Sequence, residues 1–429
     1  MEFDYQLDQK VPVLKSILFG VQWAAILISI IIILGKVIGD LHFIDKSDQI
    51  IYLQKLLFIS SVTIFFQVFW GHRLPVVAGP SAILLIGVIS SRGFDISTLY
   101  SSVLLGGLFI FILAVSGLFE YLQKLFTASV VAVVLLLITF TLAPTIQSFM
   151  IDSKSGIYPL YNICFSLGMV FLMFLFYRFL RGIWRSTLII WFMIGGSLIY
   201  FLIFPSSLGR GPSSDLPWLS DFFEQMNTQF SIEPGVLISF IFCSIALSIN
   251  DLGSIQSVNE LLHPSDRKSR LTRGISLTGL ANMLSGFFGV IGPVNYSLSP
   301  GVIMSTGCAS RFILIPAAAI LFIMSFLPAA TGFIGNVPSV VVGAVLAYTM
   351  TSQVAAGLIV AFREAGEEGF QYESGLVLGL SILFGIIVAF FPENVVNTFP
   401  SFLRPVVGNG FVAGVVSAMF LEHVVFRKK

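Results

Sequence analysis

The chain has 429 residues, of which 56% are hydrophobic and only 10% are charged, and its formal net charge at pH 7 is +1. Soluble domains carry about 25% charged residues, so this composition excludes a water-soluble globular protein and indicates that lipid surrounds the chain. The near-zero charge gives no reason to expect a nucleic acid or another polyanion as a partner.

The N-terminal segment, MEFDYQLDQK, is acidic and polar and lacks the basic region and cleavage site of a signal peptide. The first apolar run follows it. This run, SILFGVQWAAILISIIIILGKVI, is long enough to cross a bilayer by itself. We therefore expect it to remain in the protein as a transmembrane helix.

About fourteen apolar segments follow one another along the chain, which predicts an all-α polytopic membrane protein. Two of them are short and interrupted by Gly and Pro: the third, LPVVAGPSAILLIGVISS, and the tenth, within VNYSLSPGVIMSTGCASR. The segments lie near 16–38, 50–70, 75–91, 98–119, 126–147, 157–179, 187–204, 235–261, 272–292, 296–308, 310–328, 338–361, 372–391 and 404–425.

The two interrupted segments occupy equivalent places, because each is the third member of a block of seven. Seven is odd, so the second block must cross the membrane in the opposite orientation, which predicts two inverted repeats. Paired segments of this kind point to a transporter's binding site, since non-helical backbone at membrane depth is tolerated where it is buried or lines a cavity. The alternative is a Pro/Gly kink or a re-entrant loop with a packing role only.

Lysine and arginine set the expected orientation in the membrane. With a cytoplasmic N-terminus, most of the 23 Lys and Arg residues fall on the cytoplasmic side, so both termini are expected there. The longest outside loop would cover about 205–234. The histidines lie near segment ends, so no histidine relay is expected at the membrane midplane; they are His42, His72, His263 and His423.

Three stretches carry a family resemblance. They are LPVVAGPS in the third segment, GISLTGLANMLSGFFGVIGPVNYSLSPGVIMSTGCASR in the ninth and tenth, and FPENVVNTFPSFLRPVVGNGFVAGVVSAMFLEHVVF near the C-terminus. In this order they resemble the xanthine/uracil permeases, the nucleobase–ascorbate transporter family. The resemblance extends over nearly the whole chain and is strongest from 272 to 425.

The resemblance implies fourteen spans as two inverted repeats of seven, in which spans 3 and 10 each have a brief strand leading into a half-helix. A core domain would combine 1–119 with 205–328, which hold spans 1–4 and 8–11. A gate domain would combine 120–204 with 329–429, which hold spans 5–7 and 12–14. The family further implies a homodimer in the cytoplasmic membrane and an elevator-like motion of the core against the gate.

The resemblance also places the substrate between the two half-helices. The backbone N–H after Gly-Pro-Ser would bind the base, so Ser81 and Ala82 are candidate residues, with Ala82 where the family usually has Phe. In the tenth segment the family's Gly-Glu-Asn or Gln-Asn pattern is replaced by Ser297, Leu298 and Ser299. The leucine side chain cannot accept a hydrogen bond.

In the eighth span the family has a glutamate three residues before a glycine. The run here is LSINDLGSIQ, so Asn250 replaces the glutamate and Asp251 follows it. An amide can still hydrogen-bond an imide or amidine edge, but it cannot carry a proton. In the first span the family's Gln-His pair becomes Gln22–Trp23, which makes Gln22 a further candidate.

Asp251 is the one acid deep in an apolar span. A carboxylate at the bilayer centre costs a few kcal/mol or more, and burial favours its neutral form, so Asp251 is the candidate for the coupled proton. The alternative is a structural carboxylate held by hydroxyl and amide donors. Asp251 lies about 100° round the helix from Asn250, which leaves open that it faces a neighbouring helix.

Two functions compete. The first is a secondary active transporter of a nucleobase or similar flat heterocycle, coupled to proton symport. The second is a sulfate- or bicarbonate-type anion carrier, because two half-helix N-termini present partial positive charge and neither Asn250 nor Leu298 is charged. A channel or scaffold is a third class. The chain shows no HExxH, GxGxxG or P-loop pattern, so no enzymatic activity, cofactor or metal is expected.

Overall fold

The computed structural model of the protein describes residues 3–152, 156–205, 219, 222–363, 371–400 and 402–426. Most of the expected outside loop, at 206–218, lies outside these residues. The helices are α1 (Val13–His42), α2 (Lys46–Phe69), α3 (Ala82–Ser90), α4 (Ile96–Ser116), α5 (Phe119–Leu125), α6 (Ala128–Thr141), α7 (Ala143–Ile151), α8 (Pro159–Phe179), α9 (Ile183–Ser186), α10 (Leu188–Ile203), α11 (Pro234–Leu262), α12 (Arg267–Phe288), α13 (Ser299–Thr306), α14 (Leu314–Ser325), α15 (Pro328–Gly335), α16 (Ser339–Arg363), α17 (Tyr372–Ala389), α18 (Glu393–Val396), α19 (Arg404–Val407) and α20 (Gly410–Phe420), and the strands are β1 (Ala78–Pro80) and β2 (Pro293–Asn295).

Eight helical stretches of the described residues are long and apolar enough to cross a membrane. They are α1, α2, α4, α6 with α7, α8, α11, α16 and α17. The remaining predicted segments overlap α3, α10, α12, α13, α20 and the stretch Arg311–Ser325, which bends by 98° into α15. The polytopic helical architecture is confirmed, while the count of fourteen crossings stays a prediction.

Local chemistry sets several helix ends. The Asp95 carboxylate accepts the Ser97 N–H at 3.1 Å and caps the start of α4. The Asn409 side chain caps α20 by accepting two N–H groups. Gly117 and Gly289 follow the last residues of α4 and α12 with φ of 77° and 70°, a left-handed conformation that glycine adopts without strain.

The two strands pair antiparallel and are fully buried, and we call this two-stranded ladder of 78–80 and 293–295 the strand crossing. Gly79 faces Val294 in the ladder, and Pro80 faces Pro293 at its end, where a missing N–H does no harm. The brief strands expected in spans 3 and 10 are therefore present. The helix α13 begins at Ser299, so the break in span 10 precedes the Pro-Gly pair and the proline lies in the first turn of the helix, where it is tolerated.

The helix packing repeats between the two halves of the chain. Span 4 packs on span 9 (α4 on α12), and the equivalent spans 11 and 2 pack in the same way (α14 on α2). Span 1 packs on span 11 (α1 on α14), matched by spans 8 and 4 (α11 on α4). Contacts of spans 13 and 5 (α17 on α6) are matched by those of spans 6 and 12 (α8 on α16). This correspondence is what two inverted repeats of seven require.

The contacts divide the spans into two sets. The first helix group contains α1–α4 and α11–α14, joined through the α4–α12 and α2–α14 pairs. The second helix group contains α6–α8, α10, α16, α17 and α20, which gather around α6 and α16. The crossing strands lie in the first group.

Glycines let α4 and α12 approach closely. A Cβ placed on Gly279 would lie 2.6 Å from the backbone nitrogen of Phe111, and one on Gly286 would lie 2.5 Å from that of Leu104. A Cβ on Gly107 would lie 2.5 Å from the nitrogen of Met283. Small residues that allow backbone approach are the usual basis of helix association in lipid, so this pair of helices is rigidly joined.

Gly279→Ala should lower the stability of the purified protein by about 1–3 kcal/mol, because the added methyl group meets backbone atoms that cannot move aside. Thermal unfolding in detergent measures the effect. Gly168→Ala is the matched control, since a Cβ there meets nothing within 4 Å. Equal melting temperatures for the two variants would contradict the close α4–α12 contact.

Candidate functional site

Two half-helices begin beside the strand crossing. The strand β1 leads through Ser81 into α3, and β2 leads through 296–298 into α13. The N-termini of both half-helices therefore lie next to the crossing strands. Each N-terminus carries unpaired N–H groups and a partial positive charge, which suits an oxygen acceptor of a ligand.

At the start of α3, Ser81 is hydrogen-bonded within the protein, whereas the N–H of the next residue, Ala82, is not bonded among the described residues. Ser81 is fully buried, its hydroxyl accepts the Ile83 N–H at 3.2 Å, and its own N–H donates to the Gly292 carbonyl at 3.0 Å. The Ala82 N–H has no acceptor among the described residues, and Ala82 is half-buried. The group expected to meet a substrate is thus free of the helix's own bonding.

The start of α13 shows a similar division. Ser299 is fully buried, and its hydroxyl donates to the Tyr296 carbonyl at 2.9 Å and accepts the Val77 N–H at 3.3 Å. Ser297 is exposed and Leu298 is half-buried. The Ser299 hydroxyl therefore ties the half-helix to the chain before β1, and Ser297 and Leu298 present the accessible surface.

The helix α11 contacts α3, α13 and β2, and it turns two neighbouring polar side chains in different directions. Asn250 is half-buried, and its side-chain amide has no hydrogen bond within the described residues; its backbone carbonyl also accepts the Ser254 hydroxyl at 2.9 Å. Asp251 is fully buried. Its Oδ1 accepts the Asn295 N–H at 2.8 Å and its Oδ2 accepts the Thr278 hydroxyl at 2.9 Å.

Gln22 and Trp23 lie on α1, which contacts both β1 and α3. Both residues are buried, and the Gln22 Nε2 and Trp23 Nε1 atoms have no hydrogen-bond partner among the described residues. A buried donor left unpaired costs about 1–3 kcal/mol. An acceptor on a ligand would remove that penalty at Gln22.

A buried polar cluster lies behind β2, and sequence reasoning found only its carboxylate, Asp251. The Gln67 amide nitrogen donates to the Gly274 carbonyl at 2.9 Å and to the Thr278 hydroxyl at 3.2 Å. The Asn282 amide nitrogen donates to the Pro293 carbonyl at 2.9 Å. The spacing of Thr278 and Asn282, four residues apart in one span, was the available signal, because it places both on one helix face.

His72 lies near the end of span 2, as the sequence indicates, and beside this buried cluster. It is fully buried in the connection after α2, and its Nδ1 accepts the Leu74 N–H at 2.9 Å. The His72 N–H donates to the Gln67 side-chain oxygen at 3.2 Å, and the His72 Nε2 atom has no hydrogen-bond partner among the described residues. Burial, the largest cause, lowers the pKa of His72 to about 3, so the ring is neutral at physiological pH.

A cavity of about 630 Å³ lies between the first and second helix groups. Ile86 and Ile89 from the second half of α3 line it, together with the charged residues Asp40 and Arg92. Its wall stops short of Ala82. The cavity therefore lies beside the C-terminal half of α3 and is not the space between the half-helix N-termini.

Arg311, after α13, anchors the N-terminal segment. Its Nε forms an ion pair with the Asp8 carboxylate at 2.8 Å, and its Nη1 donates to the Val68 carbonyl at 2.5 Å. Tyr5 pairs with Cys308 in an isolated parallel bridge. The arginine therefore has a structural role within the described residues.

The apolar helices, the repeated packing and the paired strands that lead into two half-helices define a multi-pass membrane protein built from two structural repeats. The model of the Permease family, which covers the xanthine and uracil permeases, matches residues 14–394. The chain belongs to this family.

Known proteins resemble the chain over most of its length. It is 23% identical to the putative purine permease YwdJ of Bacillus subtilis, with 96% of each chain covered. It is 24% identical to the xanthine permease of the same organism, covering 96% of this chain and 95% of the relative. The nucleobase transporter PlUacP of Paenibacillus larvae is 25% identical over 90% of this chain and 89% of its own.

Solved structures support the same fold. The transmembrane domain of a cyanobacterium bicarbonate transporter, BicA, superposes with a TM-score of 0.60 at 15% identity and covers 90% of this chain and 100% of its own. SLC26A9 gives a TM-score of 0.60 at 12% identity, covering 96% of this chain and 65% of its own. At these identities the likeness concerns the fold alone.

Proposed function

We propose that the protein is a secondary active transporter of a nucleobase or related flat heterocycle in the cytoplasmic membrane, coupled to proton symport. The permease family and the names of the relatives support the substrate class. The observation that carries the proposal is the half-buried Asn250 amide, free of side-chain hydrogen bonds within the described residues, on a helix that contacts both half-helices.

The chemistry of these groups complements the edge of a heterocycle. The Ala82 N–H offers a donor to a ring carbonyl oxygen, and the Asn250 amide offers one acceptor and two donors to a ring that carries N–H and C=O groups. Leu298 supplies an apolar face at the start of α13. Gln22 supplies a further donor from α1, because its Nε2 atom is buried without a partner in the described residues.

The first and second helix groups act in this proposal as the core and the gate of an elevator. The core comprises 1–119 and 205–328, and the gate comprises 120–204 and 329–429, with both termini cytoplasmic and a homodimer formed in the membrane. Hydrogen bonds that join the core and gate ranges would break as the core moves. They include the Asn409 amide to the Ser239 hydroxyl at 2.9 Å and the Ser186–Ser305 hydroxyl pair at 2.8 Å.

Uptake of labelled bases tests the proposal. Proteoliposomes with an acidic exterior should accumulate at least one of uracil, xanthine, guanine, adenine and urate, and a protonophore should abolish the accumulation. Empty liposomes are the control. Failure of all five bases to enter or to compete for binding would refute the nucleobase assignment.

Asn250→Ala should weaken substrate binding more than it weakens folding. Loss of one hydrogen bond in a water-poor site costs roughly 1–3 kcal/mol, or about five- to a hundredfold in affinity. Equilibrium binding to the purified protein measures the loss. Ser248→Ala is the matched control on the same helix, since among the described residues the Ser248 hydroxyl bonds only the Ile245 carbonyl of its own helix, at 2.7 Å. Unchanged affinity in Asn250→Ala would place the amide away from the substrate.

A small-anion carrier is the second candidate. The observation in its favour is that Asp251 turns into the polar cluster, which leaves uncharged Asn250 and Leu298 beside two positively polarised helix starts. Saturable uptake of labelled sulfate or bicarbonate that is insensitive to nucleobases would support this candidate over the first.

A further inference from the structure

The Asp251 carboxylate is bonded directly to the strand crossing. Its Oδ1 accepts the backbone N–H of Asn295, the last residue of β2, at 2.8 Å. Asn295 faces Ala78 in the ladder, yet its N–H points to α11. The carboxylate, Asn295 and Thr278 are all essentially excluded from solvent. Protonation of the carboxylate would therefore first alter its hydrogen bond to the last residue of β2.

The next residue links the end of β2 to both half-helices. The Tyr296 N–H donates to the Val77 carbonyl at 2.9 Å, and its carbonyl accepts the Ser299 hydroxyl at 2.9 Å at the start of α13. Its phenol O–H donates to the Pro80 carbonyl at 2.8 Å, two residues before Ala82. A displacement of Asn295 thus reaches the starts of α3 and α13 through one residue.

Thr278 can serve both protonation states of Asp251. To the charged carboxylate its hydroxyl donates at 2.9 Å, and the Gly274 carbonyl lies within 3.2 Å as an alternative acceptor. When a proton from solvent binds Oδ2, the new O–H donates to the Thr278 oxygen, and the Thr278 hydroxyl hydrogen turns to Gly274. The Asn295 N–H has no alternative acceptor among the described residues, so protonation of the carboxylate weakens its bond to Oδ1 and loosens the end of β2.

Other charged groups near Asp251 are few. His72 is neutral and has no hydrogen bond to Asp251 among the described residues. The Arg270 guanidinium of α12 is bound to the carbonyls of His72 and Arg73. The titratable groups beside β2 include the phenols of Tyr296, which follows the strand, and of Tyr52, whose oxygen accepts the Ile291 N–H at 3.2 Å. The helices α3, α4, α13 and α20 contain no Asp, Glu, His, Lys or Arg, and on α11 the other acid is Glu260, more than two turns away. The nearest lysine of α2, Lys55, is bound to the Gln225 carbonyl.

We propose that Asp251 couples the proton to the substrate without touching it, with Thr278 as the hydroxyl switch and Asn295 and Tyr296 as the link to both half-helices. These are positioning residues, because they act on the substrate through Ala82 and the start of α13. The proposal rests on the proposed function, since it needs a bound heterocycle to respond.

Binding measured against pH tests the proposal. Wild-type protein in nanodiscs is titrated calorimetrically with the base that it binds best, from pH 5 to pH 8. Thr278→Val removes a donor from the charged carboxylate, which favours the protonated form, so the midpoint of the pH dependence should move up by about one pH unit. Thr278→Ser keeps the hydroxyl and should restore the wild-type midpoint.

Tyr296→Phe gives a second test, which can be carried out even if Thr278→Val does not fold. It removes the bond to the Pro80 carbonyl but leaves the surroundings of Asp251 intact, so the amplitude of the pH effect on Kd should fall while its midpoint stays. Ser285→Ala is the control on α12, because the buried Ser285 hydroxyl bonds only the Ala281 carbonyl within the part of the chain that the structure describes, at 2.7 Å.

The results distinguish a failure of the proposed function from a failure of the coupling through Asp251 or of its route to the half-helices. A wild-type protein that binds no base would refute the proposed function itself. A wild-type protein that binds a base with pH-independent affinity would overturn the coupling through Asp251. An unchanged midpoint in folded Thr278→Val, or an unchanged amplitude in Tyr296→Phe, would overturn the route through the hydroxyl or through the strand crossing.

Discussion

Ala82→Pro should abolish transport while the protein still folds and inserts. Ala82 is the first residue of α3, where proline is well accommodated because its fixed φ suits the helix. The preceding Ser81 has φ −88° and ψ 123°, an extended conformation compatible with a following proline. The substitution deletes the Ala82 N–H, which has no acceptor among the described residues, and it adds a ring at the start of α3.

Ala82→Gly is the matched control, since it keeps the N–H and removes only the methyl group. Uptake of labelled substrate and melting temperature are measured for both variants. We expect wild-type-like melting for Ala82→Pro with uptake at background, and substantial uptake for Ala82→Gly. Equal uptake in the two variants would show that no backbone contact is made at this position.

The interrupted spans could be predicted from the sequence because Gly and Pro have strong local effects. A proline removes an N–H and restricts the residue before it, so LPVVAGPS and VNYSLSPG had to contain non-helical backbone. The exact boundary in span 10 was harder to place. Pro300 begins a helix instead of breaking one, since the first helical turn needs no N–H from it.

The direction of Asp251 could not be predicted because it depends on the rotation of α11 against three neighbours. Consecutive residues lie about 100° apart around a helix. A modest error in the predicted rotation of α11 therefore decides whether Asn250 or Asp251 is expected to face the half-helices. The roles of His72 and Asn295 depend on where a connection and a strand end meet in space, and no periodicity in the sequence encodes that. The same holds for the Ser81 and Ser299 hydroxyls, which the fold uses internally.

Asp251→Asn should abolish uphill accumulation driven by a pH gradient and leave substrate binding in place. The asparagine Oδ1 can still accept the Asn295 N–H, and its Nδ2 can donate to the Thr278 oxygen, whose hydrogen then turns to the Gly274 carbonyl 3.2 Å away. The amide therefore reproduces the hydrogen bonds of a protonated carboxyl group. It cannot release a proton, so the variant is fixed in the proton-bound state.

Two measurements in the same proteoliposomes separate coupling from binding in Asp251→Asn. Accumulation under an imposed pH gradient should vanish, whereas exchange of external label for preloaded substrate should persist, because exchange requires no net proton movement. Asp95→Asn is the control, since it removes an acid but keeps a residue that caps α4 equally well. A variant at position 251 that still concentrates substrate with unchanged pH dependence would remove Asp251 from the mechanism. The coupling would then depend on another cation or on protonation of the substrate, or the protein would be a facilitative carrier.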